Sequence, residues 1–113
     1  MSETLFTKII RKEIPAKIVF ENETVLAFRD IEPKAPTHTL IIPKKPIVNV
    51  SHATAEDKAV LGELLLAAAT IAKQEGVAEG FRLVINNGAS VGQSVFHLHV
   101  HLLAGRPFSW PPG

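Results

Sequence analysis

The chain has 113 residues, the usual size of one folding unit that buries a core without covalent staples, and a single domain over 1–113 is predicted. It has no cysteine, which excludes a disulfide framework, a thiolate metal site and a cysteine nucleophile. Its 12 Lys and Arg stand against 11 Asp and Glu with no basic block to neutralise a run of phosphates, so no nucleic-acid partner is expected.

From the start of the chain, Met1 to Arg11 lacks the apolar core and cleavage pattern of a secretory signal. Leu5, Phe6, Ile9 and Ile10 recur at helical spacing, which predicts a first helix over Leu5–Lys12, stopped by Pro15. Lys17–Glu21 and Thr24–Arg29 are rich in Ile, Val and Phe and flank Asn22 and Glu23, as in a hairpin. His38–Ile42 is a third strand, entered from the proline-punctuated stretch Pro33–Pro36. Thr54 with Asp57 forms a capping-box pattern before the stripe Val60, Leu61, Leu64, Leu65, Ala68, Ile71 and Ala72, a main helix that runs to about Glu75 and closes at Gly76. Its apolar stretch Leu61–Ala72 is interrupted by Gly62, Glu63 and Thr70 and is too short to span a bilayer, so no membrane partner and a cytoplasmic location are expected. Phe81–Asn86 and Val95–Leu103 are the last two strands, joined by the polar loop Asn87–Ser94. This order predicts an α+β fold, a largely antiparallel five-stranded sheet with two helices.

The last strand carries the chemistry. Phe96, Leu98, Val100 and Leu102 alternate with His97, His99 and His101, so period two places three imidazoles on one face, with roughly 7 Å between neighbours along the chain. Partly charged rings so close repel one another unless a ligand satisfies them. The preceding loop, Asn86–Ser94, offers glycines, an amide and a hydroxyl, a composition from which backbone N–H groups can hold phosphate oxygens. Its length exceeds that of an ordinary hairpin connection. His38, at the start of a strand, is a fourth candidate for the same site.

The run His97-Leu98-His99-Val100-His101-Leu102-Leu103 resembles the His-x-His-x-His motif, with apolar x, of the histidine triad family. The resemblance extends over nearly the whole chain: Lys8 to Pro15, Ala27 to Ile31, Ala35 to His38, Ile42 to Lys45, Gly92 to Ser94 and the ending Trp110-Pro-Pro-Gly113. It is closest to the histidine triad nucleotide-binding branch, the purine nucleoside phosphoramidate hydrolases. The resemblance implies a site for a nucleoside 5'-monophosphate, with His99 as nucleophile, His101 touching the phosphate and protonating the departing amine, His38 beside the phosphate, and His97 serving shape and packing. It also implies that Asp30 binds the ribose hydroxyls, that Phe6, Ile9, Phe28, Ile31 and Leu40 hold the purine, and that Asn86, Gly92, Gln93 and Ser94 surround ribose and phosphate. A two-fold homodimer is implied, in which the tail bearing Trp110 reaches the neighbouring site. Relatives that bind structural zinc have a Cys-x-x-Cys pair and a histidine where this chain has Thr4, Thr7 and Pro46, so no metal and no cofactor are expected.

The implied reaction is hydrolysis of a purine nucleoside 5'-phosphoramidate through a nucleotidyl-histidine, which divides one difficult displacement into two. Three alternatives stay open on the sequence: cleavage of dinucleoside polyphosphates, a nucleotide-sensing module without turnover, and a metal-binding protein that holds one ion through His-x-His.

Overall fold

A computed structural model describes residues 3–113; Met1 and Ser2, the start of the segment read against a secretory signal, lie outside it. The elements are α1 (Leu5–Ile10), β1 (Ile18–Glu21), β2 (Val25–Arg29), β3 (Thr37–Pro43), α2 (Lys58–Gln74), β4 (Phe81–Val84) and β5 (Val100–Ala104). The strands form one sheet in the order β1-β2-β3-β5-β4. Every neighbouring pair is antiparallel. This is the predicted α+β architecture of five strands and two helices.

Local chemistry sets the boundaries. Thr4 caps α1 through a capping box with Thr7. The helix ends at Arg11, and Lys12 has already turned to φ +63°, so the stop lies ahead of Pro15 and α1 is shorter than predicted. Between β1 and β2 the Asn22 side chain accepts N–H groups from Thr24 and Val25, which draws Thr24 into the turn and starts β2 one residue later than expected. The predicted pairing of Thr54 with Asp57 is present and caps a 3-10 turn, Ala55–Asp57, that leads into α2. At the other end Gly76 adopts φ +73°, Gly76 N–H donates to the Lys73 carbonyl and Val77 N–H to that of Ala72, a Schellman closure.

Alternation along the strands builds two cores. Val25, Ala27, Ile41, Val100 and Leu102 pack against Leu64, Ala68 and Ile71 of α2. Leu26, Phe28, Leu40 and Ile42 turn to the opposite face and pack against Phe6 and Ile9 of α1. Because helices cover both faces, β3 is buried along nearly its whole length. His38 shares the α1 face with Leu40 by strand period. The register of β3 on β5 sets Leu40 opposite His101 and His38 opposite Leu103, making His38 and His101 diagonal neighbours on that face.

The clearest departure from expectation is β5, predicted over Val95–Leu103 and observed only from Val100 to Ala104. Partner strand β4 ends at Val84 and offers no ladder to residues 95–99. Leu98 N–H instead donates to the Ile47 carbonyl at 2.6 Å. Leu98, Val100 and Leu102 enter the core as predicted, but Phe96 stands half exposed outside it.

Candidate active site

Two of the three motif histidines therefore precede the strand, yet their rings converge. His99 and His101 have centroids 5.0 Å apart, and Phe6 of α1 meets the His99 ring edge-on at 5.1 Å and that of His97 at 6.0 Å. Aromatic packing thus seats the imidazoles under α1.

The hydrogen-bond network assigns each tautomer. His99 Nδ1 lies 2.8 Å from the His97 carbonyl oxygen, an acceptor that requires N–H there and leaves a lone pair on Nε2. His97 Nε2 donates likewise to the Pro43 carbonyl at 2.7 Å, and its Nδ1 is buried without a partner. His38 Nδ1 accepts from Lys34 N–H at 3.0 Å, so neutral His38 carries its proton on Nε2. That nitrogen stands 2.9 Å from His101 Nδ1, which must accept, and neutral His101 is left with its N–H on Nε2. The four histidines are therefore distinct: one lone pair, one N–H donor, one relay and one structural prop.

Burial pushes the affinity of His38, His97 and His99 for a proton below the ordinary imidazole value. His101 is lowered furthest, to about 4, by burial first and then by the neighbouring His99 and His38, against the opposing attraction of Asp30. At neutral pH the site holds neutral rings, which keeps the His99 lone pair available for attack.

These rings border a cavity of about 410 Å³. That volume falls in the class of small-molecule pockets. Phe6, Ile9, Phe28 and Leu40 wall its apolar side, with His99, His101, Asp30 and Ser94 on its polar side. Ile31 contributes from the mouth, 92% exposed in this chain. Asp30 is oriented by Glu32 N–H, which donates to its Oδ1 at 2.8 Å. Nine residues singled out in the sequence thus surround one space. His38 and His97 lie behind it, touching the rings that line it.

Others are placed differently. Gln93 is buried as a latch: its amide donates to the Val48 and Val95 carbonyls while its oxygen accepts from Gly88 N–H and Asn49 Nδ2. Gly92 packs over Asn86, where an added Cβ would meet the Asn86 amide at 3.5 Å. The N–H groups of Val91, Gly92 and Gln93 close turns within the loop. Trp110 is 81% exposed and does not line the cavity. Leu5, Ile14, Pro15, Ala16 and Val95 do line it and were not singled out. For Ile14, Pro15 and Ala16 the signal is hidden because the return of the chain after α1 across the site is a tertiary event with no periodicity.

The HIT domain profile matches residues 11–108. The chain belongs to the HIT family. An uncharacterized HIT-like protein of Synechocystis is 62% identical over 98% of this chain and 97% of its own length. A 14 kDa zinc-binding protein of Zea mays is 57% identical over 99% of this chain and 89% of its own length. Among solved structures, a HIT family hydrolase of Legionella pneumophila superposes with a TM-score of 0.96 at 50% identity, covering 98% of this chain and 100% of that one. A histidine triad nucleotide-binding protein of Candida albicans gives 0.84 at 30% identity, covering 96% and 83%. This HIT chain therefore has the fold of HIT family hydrolases.

Its residues do not fit the structural zinc of some relatives. Thr4 and Thr7 exchange their hydroxyls and N–H groups in the α1 capping box, Thr7 Oγ1 also donating to the Thr4 carbonyl at 2.7 Å, and neither presents a thiolate. His97 and His99 each keep one nitrogen free of the backbone, Nδ1 and Nε2 respectively, but among the described residues neither ring belongs to a converging set of three or more donors. Among the described residues the set able to converge on a cation is Asp30, His38 and His101, with donor atoms within 4.8 Å of one another.

Proposed function

We propose that this HIT chain hydrolyses the P–N bond of purine nucleoside 5'-phosphoramidates, releasing the mononucleotide and an amine. The observation that carries the reading is the division of labour between two adjacent rings: His99 offers a lone pair on Nε2 and His101 an N–H on Nε2, both bordering the cavity. The apolar wall of Phe28, Leu40 and Ile9 suits a flat base held by burial, which discriminates weakly between adenine and guanine, whereas Asp30 as acceptor selects ribose over deoxyribose. Ser94 borders the same space and suits a phosphate oxygen.

His99 Nε2 attacks phosphorus, and the P–N bond breaks with its electron pair on nitrogen. The anionic phosphate draws a proton from solvent onto the His38–His101 pair as substrate binds, and that proton leaves through His101 with the amine. Water then attacks the nucleotidyl-His99, giving its proton to His101 and freeing His99. The scheme uses only this chain's side chains.

The relative rates of adenosine phosphoramidate, diadenosine triphosphate and AMP as substrates or ligands test it. The phosphoramidate is cleaved fastest, AMP binds as product, and much faster cleavage of the triphosphate would move this protein to dinucleoside polyphosphate chemistry. A nucleotide-sensing role without turnover predicts binding and no release of amine. A second reading, a divalent transition ion held by Asp30, His38 and His101, has the convergence of their donor atoms in its favour. Near-stoichiometric tight metal in protein purified without an affinity tag supports that reading.

The same proposal includes a homodimer. β4 is an edge strand with an unpaired side, and Leu65 and Leu66 of α2 are 53% and 64% exposed. A second copy covers such surfaces.

A further inference from the structure

The C-terminal segment reaches the site from behind, through backbone. Arg106 Nε and Nη2 both donate to the Lys34 carbonyl, at 3.2 and 3.0 Å, and the N–H of that same residue donates to His38 Nδ1 at 3.0 Å. The guanidinium is itself held in place, with Nη1 on the Pro107 carbonyl at 3.0 Å and the Phe108 ring 4.3 Å from its carbon. Next to it, Gly105 at φ +96° packs so tightly on Pro36 that an added Cβ would come within 2.8 Å of the proline Cβ. The loop between β2 and β3 is thus clamped at Lys34 and at Pro36 by consecutive residues that follow β5. Arg106 does not line the cavity.

We infer that Arg106 is a positioning residue which, by holding the Lys34 backbone so that its N–H stays against His38, fixes the order of protons along Lys34, His38 and His101 and so determines that His101 presents N–H to the substrate. Without the clamp, His38 is free to carry its proton on Nδ1 and accept on Nε2, which reverses the polarity of the pair and turns the lone pair of His101 toward the cavity. The geometry adds a second effect. An extra proton on the pair must displace either the Lys34 N–H at one end or the proton between the rings, so the clamp opposes protonation of the empty site. The charged and titratable groups facing the pair are His99, Asp30 and Lys34, and none of them is altered by changing Arg106.

The test is the tautomer itself, read from the nitrogen shifts of His38 and His101 in isotope-labelled protein, for the unaltered chain, Arg106→Ala and Arg82→Ala. Arg82 also stacks on Phe108, at 5.1 Å, and donates to the Ser109 carbonyl, but it does not touch Lys34, so its variant loosens the same segment without opening the clamp. In the unaltered chain Nδ1 of His38 is expected as an unprotonated, pyridine-type nitrogen. In Arg106→Ala it moves toward the protonated type, while Arg82→Ala leaves it unchanged. An unmoved His38 in Arg106→Ala, or an equal movement in Arg82→Ala, overturns the inference. The kinetic consequence rests on the proposed acid role of His101, whereas the tautomer measurement does not: the alkaline limb of kcat/KM, where the acid is lost by deprotonation, moves to higher pH in Arg106→Ala with KM unchanged. If the unaltered chain cleaves no phosphoramidate, the proposed function fails and the nitrogen shifts still decide the role of Arg106.

Discussion

Nδ1 of His99 and the carbonyl oxygen of His97, two residues back along the same chain, are 2.8 Å apart. That contact parks the imidazole proton on backbone and leaves the lone pair on Nε2 of a ring that lines the cavity, which is the requirement for an imidazole nucleophile. Replacing His99 with Gly is expected to lower turnover by about four orders of magnitude or more, as for removal of other covalent nucleophiles. AMP affinity is retained, because the base and ribose contacts lie on other residues. Rapid quench with a reactive nucleotide analogue and mass spectrometry under mildly alkaline conditions shows the adduct on His99; an adduct elsewhere, or substantial activity in the variant, overturns the assignment.

His101 has the complementary polarity, and its loss should depend on what departs. For an alkylamine leaving group, His101→Ala is expected to slow the reaction about 10²- to 10⁴-fold, the usual worth of a general acid. For a weakly basic aromatic amine the loss shrinks, since little protonation is needed at departure. Measuring kcat across amines of graded basicity gives a steeper dependence in the variant; parallel lines for the two proteins would sink the acid role.

Much of this site was legible in the sequence because strand period is a short-range rule. Alternation placed Leu98, Val100 and Leu102 in the core correctly, and the spacing of His97, His99 and His101 predicted one shared face, of which His99 and His101 border the cavity while His97 lies behind it. It misjudged the backbone that does this. Residues 95–99 are held by carbonyls of Pro43, Ile47 and His97 rather than by a ladder, and two of these acceptors lie some fifty residues away in the chain. Gln93, expected beside ribose and phosphate, has its whole amide bound by Val48, Asn49, Gly88 and Val95, three of which strand period does not reach. The role of Arg106 is invisible for the same reason, since it acts on Lys34 through space.

Burial of neutral imidazoles makes stability depend on pH with a definite sign. His38, His97, His99 and His101 bind protons more weakly in the folded chain than their ordinary value of 6.5. Below that value the unfolded chain takes up protons that the folded chain refuses, so stability falls as pH falls, and the His101 contribution is exhausted below about 4. The melting temperature should drop steadily from pH 7.5 to pH 5. AMP, by bringing negative charge to the rings, reverses part of the drop and is taken up together with protons. Calorimetry at pH 6 in two buffers of different ionisation enthalpy measures that uptake; zero uptake contradicts the proposed path of the proton.

His97 is 1% exposed and its Nε2 satisfies the Pro43 carbonyl. His97→Ala leaves that acceptor buried without a donor and opens a cavity beside Phe6, a combined cost of about 3 kcal/mol. The effect should be on stability first, read in urea unfolding as a lowered midpoint at unchanged slope. Under conditions where the variant is folded, a loss of kcat smaller than that of His99→Gly is expected. A fully stable but inactive His97→Ala would instead assign this ring to the chemistry.

The tail supplies the last prediction. Arg82 and Arg106 stack on Phe108, and Arg82 holds the Ser109 carbonyl at 3.1 Å, so the chain is anchored as far as Ser109. Beyond it Trp110 is 81% exposed, and an indole with no cover in its own chain is a ready contact for a second copy. Deleting residues 109–113 removes no core contact, and the change in unfolding free energy should stay within about 0.5 kcal/mol. If the tail lies beside the neighbouring site in the proposed homodimer, the same deletion changes the ranking of phosphoramidates that differ only in their amine. Analytical ultracentrifugation at micromolar concentration is expected to give a dimer for the full chain. A monomer, or a truncated protein with unaltered substrate ranking, would remove the tail from the site.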